Sequence, residues 1–311
     1  MNKQSGTIAV VGSLNYDMLF KVPRLPVKGE TLTADSISMC GGGKGANQAV
    51  QCAKLGARTR MAGRVGQDKF GDELLGKLQS FGVDISSVSR SQAAATGLAS
   101  VQVLPGGSVY ATIFTGANFD LDIQYVDSID DMLRESKVVI LQMEIPMPVI
   151  EETIRRASSY GCYVLLNAAP AKPIDPKALQ MVDCLVVNEA EASFYTGAQV
   201  CDLPSAEANA DKLLSMVKGN VIITLGKHGS LLCKKTDNTH FTADNTVKAV
   251  ETTGAGDSYV GALAVKALEG ADIKEACCFA SKVADITVTR IGAQEGMPAL
   301  SELNACQEKA R

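Results

Sequence analysis

The sequence predicts an α/β fold, a doubly wound and mostly parallel sheet that carries a small antiparallel β lid. From residue 138 onward, short apolar runs of strand length alternate with helical stretches. Two glycine-rich segments, Gly41-Gly-Gly-Lys-Gly-Ala-Asn47 and Gly254-Ala-Gly-Asp257, each open onto a helical period. Residues 14–39 and 97–113 instead keep a two-residue β alternation with almost no helical period. Strands alternating with helices imply parallel pairing through crossovers, with helices on both faces.

Residues 7–12 read as the first strand. Segment 14–39, with turn residues Pro23, Pro26 and Lys28-Gly29, joins segment 97–113, with Pro105-Gly106-Gly107, in a small sheet standing off the main domain. Its uncovered face calls for work as a lid over an active site or as a dimer contact. Helices are expected over 47–55, ended by Gly56, and over 72–81. Strands at Val138–Gln142, Tyr163–Asn167, 184–187 and 221–225 then alternate with helices at 147–160, 176–181, Glu189–Thr196 and 205–217. Two last helices, 257–268 and 273–289, follow the second glycine-rich turn. With no long linker, repeat or low-complexity tract, residues 1–311 read as one domain.

Composition narrows the function classes. Hydrophobic content of 46% is ample for a core, and 30 basic against 34 acidic residues leave a net charge of −4. There is no long basic block, so neither nucleic acid nor an anionic membrane is expected as a partner. Apolar runs such as 138–141 are far too short to cross a bilayer, and residues 1–7 lack the apolar segment of a signal peptide, so a cytoplasmic protein is expected. Nine cysteines contain no Cys-x-x-Cys, and with only His228 and His240 present a zinc site is not expected. Cys162, Cys184, Cys233 and Cys278 lie in apolar contexts and read as reduced core residues.

The most informative motif is the turn ending in Asp257. Gly254, Ala255 and Gly256 let backbone N–H groups face one point at the positive end of a helix, which makes an anion site. Asp257 sets a carboxylate beside it, a combination suited to phosphoryl transfer: amides hold the moving group and the carboxylate takes a proton from an attacking hydroxyl. The alternative is a glycine-softened turn with Asp257 as a helix cap. Gly41–Asn47 fails the phosphate-loop pattern because Gly45 follows Lys44, and it matches the dinucleotide fingerprint only weakly as Gly41, Gly43 and Ala46. A third reading lays a small polar ligand against the glycines, with Lys44 and Asn47 as donors; a tight turn without ligand is the fourth.

Other polar clusters sit at strand ends. Asn15 and Asp17 share one face after the first strand, apt for a vicinal diol or simply for a turn. Glu144 after the strand at 138–142 completes such a polyol site or caps the next helix. Asn188 and Glu191 form a capping box, or hold metal-bound water near phosphates. The turn Thr224-Leu-Gly-Lys-His-Gly229 suits a nucleotide lying against backbone. Jointly, the clusters fall at the carboxyl ends of successive strands, where open α/β sheets bind ligands.

These residues resemble the ribokinase-like (phosphofructokinase-B) carbohydrate kinases, from about residue 8 to 298. The resemblance rests on Gly12-Ser-x-Asn-x-Asp17, Gly42-Gly-Lys-Gly-Ala-Asn-Gln-Ala49, Gly66-x-Asp-x-Phe-Gly71, Asn188-Glu-x-Glu191, Thr224-Leu-Gly226 and Gly254-Ala-Gly-Asp257. It implies a Rossmann-like main domain and ATP-dependent phosphorylation of a sugar, first of all D-ribose at its 5-hydroxyl. By the same resemblance Asn15, Asp17, Gly43, Lys44, Asn47 and Glu144 hold sugar hydroxyls, Asp257 is the base, and Gly254, Ala255 and Gly256 form the anion hole. Asn188 and Glu191 serve Mg–ATP, while Thr224, Gly226, Gly229 and Gly256 line the nucleotide pocket, with Ser281 near the adenine. The lid also pairs subunits in this family, so a homodimer is implied. A potassium ion is implied beside the anion hole, with Glu251, Thr253, Arg290, Gly292 and Gly296 around it. Two departures weaken that last implication: Glu251 stands where the family has Asp, and Gly296 where Ser is common.

Three rivals remain open on sequence. A same-fold kinase could take deoxyribose, another sugar or a nucleoside; few aromatics and no Trp disfavour a nucleoside, with Phe114 and Tyr16 as the available rings. A sugar- or nucleotide-binding protein without catalysis would not need Asp257. An NAD-dependent dehydrogenase lacks an acidic residue placed to read the ribose.

Overall fold

Near-continuous apolar runs such as Val138–Gln142, buried at every position, have to be covered on both faces, and the chain meets this with helices on either side of one large sheet. The computed structural model describes residues 6–105, 109–243 and 247–303. Gly106 and Gly107 of the expected turn lie outside them. The strands are β1 (Ile8–Val11), β2 (Asn15–Lys21), β3 (Ser36–Gly42), β4 (Thr59–Val65), β5 (Asp84–Arg90), β6 (Gly97–Val103), β7 (Val109–Phe114), β8 (Val138–Gln142), β9 (Tyr163–Asn167), β10 (Cys184–Asn188), β11 (Asn220–Thr224), β12 (Ser230–Cys233) and β13 (Asn238–Phe241). The helices are α1 (Lys44–Lys54), α2 (Lys69–Ser80), α3 (Ile123–Ser128), α4 (Asp130–Arg134), α5 (Met147–Ser159), α6 (Pro176–Leu179), α7 (Glu189–Thr196), α8 (Leu203–Leu214), α9 (Ala255–Leu268), α10 (Ile273–Thr287) and α11 (Ala293–Gly296).

The main sheet runs β13-β12-β11-β10-β9-β8-β1-β4-β5. It is parallel from β5 through β11, and β12 and β13 close the far edge as an antiparallel hairpin. One core packs α3 to α8 on one face, through residues such as Leu133, Ile150, Leu166 and Leu213. The other packs α1, α2, α9 and α10 on the opposite face, through Val50, Leu74, Leu263 and Val283. Strand order reverses between β1 and β8, so the crevice above their carboxyl ends is the topological switch point.

The second sheet has the order β3-β2-β6-β7. Its two hairpins, β2/β3 and β6/β7, are antiparallel as expected, but they join through a parallel pairing of β2 with β6. Both excursions leave the main domain in the same direction, which forces that central pairing. Asn15 and Asp17 therefore sit at the root of the lid on β2, not at the end of a parallel core strand.

Several boundaries differ from expectation. Helix α1 begins at Lys44 rather than 47, because Gly45 can enter the helix only without a side chain: a Cβ there would lie 2.7 Å from the Gly12 carbonyl carbon. Helix α2 starts at Lys69 under an Asp68 cap that accepts from the Gly71 amide. Strands β4 and β5 were not expected. Arg60 and Arg64 interrupt the apolar signal of β4, and β5 is a serine-rich edge strand. Cys278 is exposed, a correction to its core reading, whereas Cys162, Cys184 and Cys233 are buried as expected. No described helix is long and apolar enough to cross a membrane.

Leu141 on β8 is fully buried in the first core. Leu141→Ala is expected to cost about 2–5 kcal/mol of unfolding free energy through lost burial and a residual cavity. Urea unfolding monitored by circular dichroism checks this, and a loss below about 1 kcal/mol would contradict the packing described.

Candidate active site

The carboxylate of Asp257 lies at the third position of α9, whose N-cap is Gly254 at φ +81° with no side-chain cap. Only glycine suits that position: its φ is left-handed, and a Cβ would come within 3.0 Å of Ala293 Cα. Asp257 does not cap its own helix. Its Oδ2 accepts from Asn47 Nδ2 and its Oδ1 from Gln48 Nε2, each at 2.9 Å, and all three side chains are buried. The helix-cap reading therefore fails, since both oxygens are held from α1.

Those donors are themselves fixed. Gln48 also donates to Asn167 Oδ1 at 3.1 Å and accepts from Gln142 Nε2 at 2.7 Å. Asn47 Oδ1 accepts from Gln294 Nε2 at 3.1 Å. Asn47 was expected to hold sugar hydroxyls. In the structure its amide lines the cavity and is also bonded at both ends, to Asp257 and to Gln294. Gln48 escaped sequence reading; the signal was its place beside Asn47 in a polar entry to an apolar helix.

Above the switch point, a cavity of about 290 Å³ brings together Asn15, Asp17, Gly43, Lys44, Asn47, Glu144 and Asp257. Leu19, Ala99, Val101, Ala111 and Ile113 of the lid close it with an apolar surface. Asn15 Oδ1 accepts from Asn118 Nδ2 at 2.7 Å, and Asn118 also grips the Leu14 backbone at both its polar atoms, a support that sequence reading did not find. Ser13 Oγ donates to Glu144 Oε2 at 2.5 Å, and the Lys44 amide donates to the same oxygen at 3.2 Å. Gly42 leaves room for the Asp17 carboxylate, which would lie 2.1 Å from a Cβ there.

Electrostatically this is a crowded acidic site around one lysine. Burial, then Glu144 and Asp257, push the Asp17 carboxyl up to about 7, and its Oδ1 is buried with no partner among the described residues. Burial works against charge on Lys44, but Asp257, Glu144 and Glu191 outweigh it and raise its pKa. Tyr16 points elsewhere: its hydroxyl donates to Glu73 at 2.5 Å and its ring lies 4.8 Å from Phe70. The described residues lining the sugar-sized cavity include no aromatic ring.

Two further cavities continue from it. One of about 220 Å³ is lined by Lys44, Asn167, Asn188, Glu191, Thr252, Gly254, Gly256 and Asp257. There Asn188 and Glu191 form the full capping box: Asn188 Oδ1 accepts from the Glu191 amide at 2.9 Å, and Glu191 Oε2 from the Asn188 amide at 2.8 Å. Glu191 is raised by burial, with Lys44 opposing. The next cleft, about 120 Å³, is lined by Thr224, Gly226, Gly229, Ala255, Gly256, Tyr259 and Ser281. Ser281 Oγ is buried there without a partner among the described residues. Gly229 is obligatory, for a Cβ would lie 1.8 Å from the Phe241 carbonyl oxygen. The first two cavities share Lys44, Gly254 and Asp257, and the last two share Gly256, so they form one trough.

The glycine turn is partly engaged: the Ala255 amide donates to the Thr252 carbonyl at 3.2 Å. Beside it, Glu251 Oε2 accepts from the Gly292 amide at 3.0 Å, and the Gly292 carbonyl accepts from the Gly296 amide at 2.8 Å. Glu251, Thr253 and Gly292 line the first cavity, while Arg290 turns its guanidinium to Glu302. Among the described residues no cluster of three His, Cys, Asp or Glu side chains could hold a metal.

Comparison with known proteins gives a consistent picture. The pfkB family carbohydrate kinase pattern matches residues 5–300. The chain is 33% identical to a ribokinase of Staphylococcus aureus, over 96% of this chain and 98% of that protein. It is equally 33% identical to a deoxyribokinase of Salmonella typhi, over 96% and 97% of the two chains. The structure of Arabidopsis thaliana ribokinase complexed with ribose and ATP superposes with a TM-score of 0.89 at 30% identity, covering 97% of this chain and 98% of that one.

Asp17 sets a pH signature. A buried carboxyl with its pKa near 7, well above the value in an unfolded chain, is tolerated when protonated and destabilises the fold as pH rises through about 7. Asp17→Asn should thus raise Tm at pH 8 by about 2–4 °C, with the gain shrinking as pH falls from 7 toward 4. Differential scanning calorimetry at pH 5 and 8 decides; an equal shift at both values would contradict the assignment.

Proposed function

The chain belongs to the pfkB family of carbohydrate kinases, and on that premise we propose that it transfers the γ-phosphoryl group of ATP to the 5-hydroxyl of D-ribose. One observation carries the reading. Asp257, held through both oxygens, stands where the sugar-sized cavity meets the cleft lined by Asn188, Glu191 and the glycine turn. A hydroxyl in the first space and a phosphoryl group in the second would meet beside this carboxylate.

Asn15, Asp17, Lys44 and Glu144, with the Gly43 backbone, bind the sugar hydroxyls and leave the primary hydroxyl toward Asp257. The apolar inner face of the lid covers the sugar and excludes water that would otherwise hydrolyse ATP. Asp257 takes the proton of that hydroxyl as its oxygen attacks the γ-phosphorus and the bond to ADP breaks. The N-terminal turn of α9, through Gly254, Ala255 and Gly256, and the Lys44 ammonium stabilise the negative charge on the phosphoryl oxygens.

Thr224, Gly226, Gly229 and Gly256 seat the nucleotide, and the unpartnered Ser281 hydroxyl meets the base. The ordered carboxylate of Glu191 and the Asn188 side chain suit a Mg²⁺ held through water, which would neutralise phosphate charge. Glu251, whose Oε2 accepts from the Gly292 amide, would hold a potassium ion beside the glycine turn together with the backbone of Thr253 and Gly292, and no step of the transfer is routed through it. The face of the lid turned from the cavity exposes Ile37, Met39, Tyr110 and Phe114, so pairing of two copies through the lid belongs to the same proposal.

Similarity to a deoxyribokinase at the same 33% identity keeps 2-deoxyribose as a second reading. A coupled ADP-release assay over ribose, deoxyribose, fructose and adenosine, with and without potassium, separates the substrates. Turnover of deoxyribose with ribose inert would replace the substrate and leave the mechanism standing. Asp257→Asn is expected to retain sugar binding and to lower kcat by about 10²–10⁴-fold. Near-normal turnover in that variant removes Asp257 as the base.

A further inference from the structure

Helix α11 has only four residues, yet it touches both halves of the catalytic centre. Gln294 donates to Asn47, which donates to Asp257. The neighbouring Ala293 packs so closely on Gly254 that a Cβ at Gly254 would lie 3.0 Å from Ala293 Cα. Gln294 is buried, and Gly41 gives way to it: a Cβ at Gly41 would lie 2.7 Å from Gln294 Oε1.

A helix this short cannot satisfy its own terminal carbonyls. Lys54, at the end of α1, meets that need with one ammonium. Its Nζ donates to the carbonyls of Gln294 at 2.7 Å, Met297 at 2.8 Å and Glu295 at 3.3 Å. The Lys54 ammonium also lies over the Phe81 ring, with Nζ 4.9 Å from its centre. The same helix α1 thus supplies the two amides that hold Asp257 and the ammonium that holds the segment supporting one of those amides.

We propose that Gln294 is a positioning residue for phosphoryl transfer, acting on Asp257 through Asn47, and that Lys54 positions Gln294 by tying down α11. This rests on Asp257 being the base. The physical link is the order of donors and acceptors. Because Gln294 donates to Asn47 Oδ1, the Asn47 amide must present its NH₂ to Asp257. Without that donor a buried Asn47 oxygen is left unsatisfied, and the side chain gains by turning into the adjoining cavity, which releases Asp257 Oδ2.

The test is steady-state kinetics with D-ribose and ATP on full-length variants whose Tm is measured alongside. Gln294→Met should lower kcat by about 10–100-fold with KM for ribose within about threefold, the pattern of a misplaced reacting group. Asn47→Leu should lower kcat at least as far, and the Gln294→Met/Asn47→Leu double variant should fall no further than Asn47→Leu alone. Lys54→Met should repeat the Gln294→Met loss, and Lys54→Arg should retain kcat within about threefold of the parent; this pair carries the test if Gln294→Met does not fold. Unchanged kcat in Gln294→Met or Lys54→Met, or multiplicative losses in the double variant, would overturn the proposal. Asp257→Asn keeps the two readings apart. Full turnover there ends the assignment of the base, whereas an inactive Asp257→Asn beside a fully active Gln294→Met ends only this link.

Discussion

A carboxylate buried without a cation in hydrogen-bond contact has to be held by neutral donors, and the arrangement around Asp257 follows from that requirement. Asn47 and Gln48 each give it one N–H, and neither can do so unless its own oxygen faces another donor. Gln142 at the end of β8 meets Gln48, and Gln294 in α11 meets Asn47. The amides therefore run outward from one anion to the centre of the sheet on one side and to the end of the described chain on the other. The inner bonds set the orientation of Asn47 and Gln48, while at the outer ends Gln142 Oε1 and Gln294 Oε1 are buried without a partner among the described residues.

The sheet makes that network possible. Strand order reverses between β1 and β8, and the chain leaving β1 enters the lid instead of a crossover helix. Helix α1 then returns from the lid across the switch point, so its first turn faces Asp257 while its last residue reaches α11. Gly12, Gly43 and Gly45 make the return tight enough: each added Cβ would run into Gln142, the Asn15 amide or the Gly12–Ser13 backbone. Glycine at these points is a matter of backbone approach, and only Gly43, at φ +86°, also needs its dihedral freedom.

This explains what could be read in advance. The central parallel strands β1 and β8 to β11 and most helices were legible because full burial writes itself as apolar runs and helical periods, as in β8 and α5, whereas the parallel strands β4 and β5 were not. Cavity-lining residues such as Asp17, Lys44 and Glu144 were legible because polar groups recur close to glycine-rich turns and strand ends, although Asp17 proves to lie within β2 and Lys44 to open α1. Gln48, Gln142, Asn118 and Gln294 were not. A buried amide inside a helix or strand looks like any surface amide until the partner that satisfies it is known, and those partners lie 94 to 247 residues away in sequence. Asn47 was placed at the cavity, and its link to Asp257 was hidden for the same reason.

Crowding acidic groups into this trough has a cost that the fold accepts. Asp17, Glu144, Asp257 and Glu191 all act on Lys44 or on each other, and Asp17 is held near neutrality rather than fully charged. A core selected for stability alone would replace such a cluster with apolar residues. Its members differ in how they are satisfied. Asp257 is bound through both oxygens and Glu144 through Ser13 and the Lys44 amide, while Asp17 keeps an oxygen with no partner among the described residues. A pre-satisfied carboxylate keeps its position whatever else binds, which suits a proton acceptor. An unsatisfied one gains most when a hydroxyl arrives, which suits recognition. On the proposed reading Asp257 is of the first kind and Asp17 of the second, while Glu144, proposed to bind the sugar, is already held by Ser13 and the Lys44 amide and has only its remaining acceptor capacity to offer.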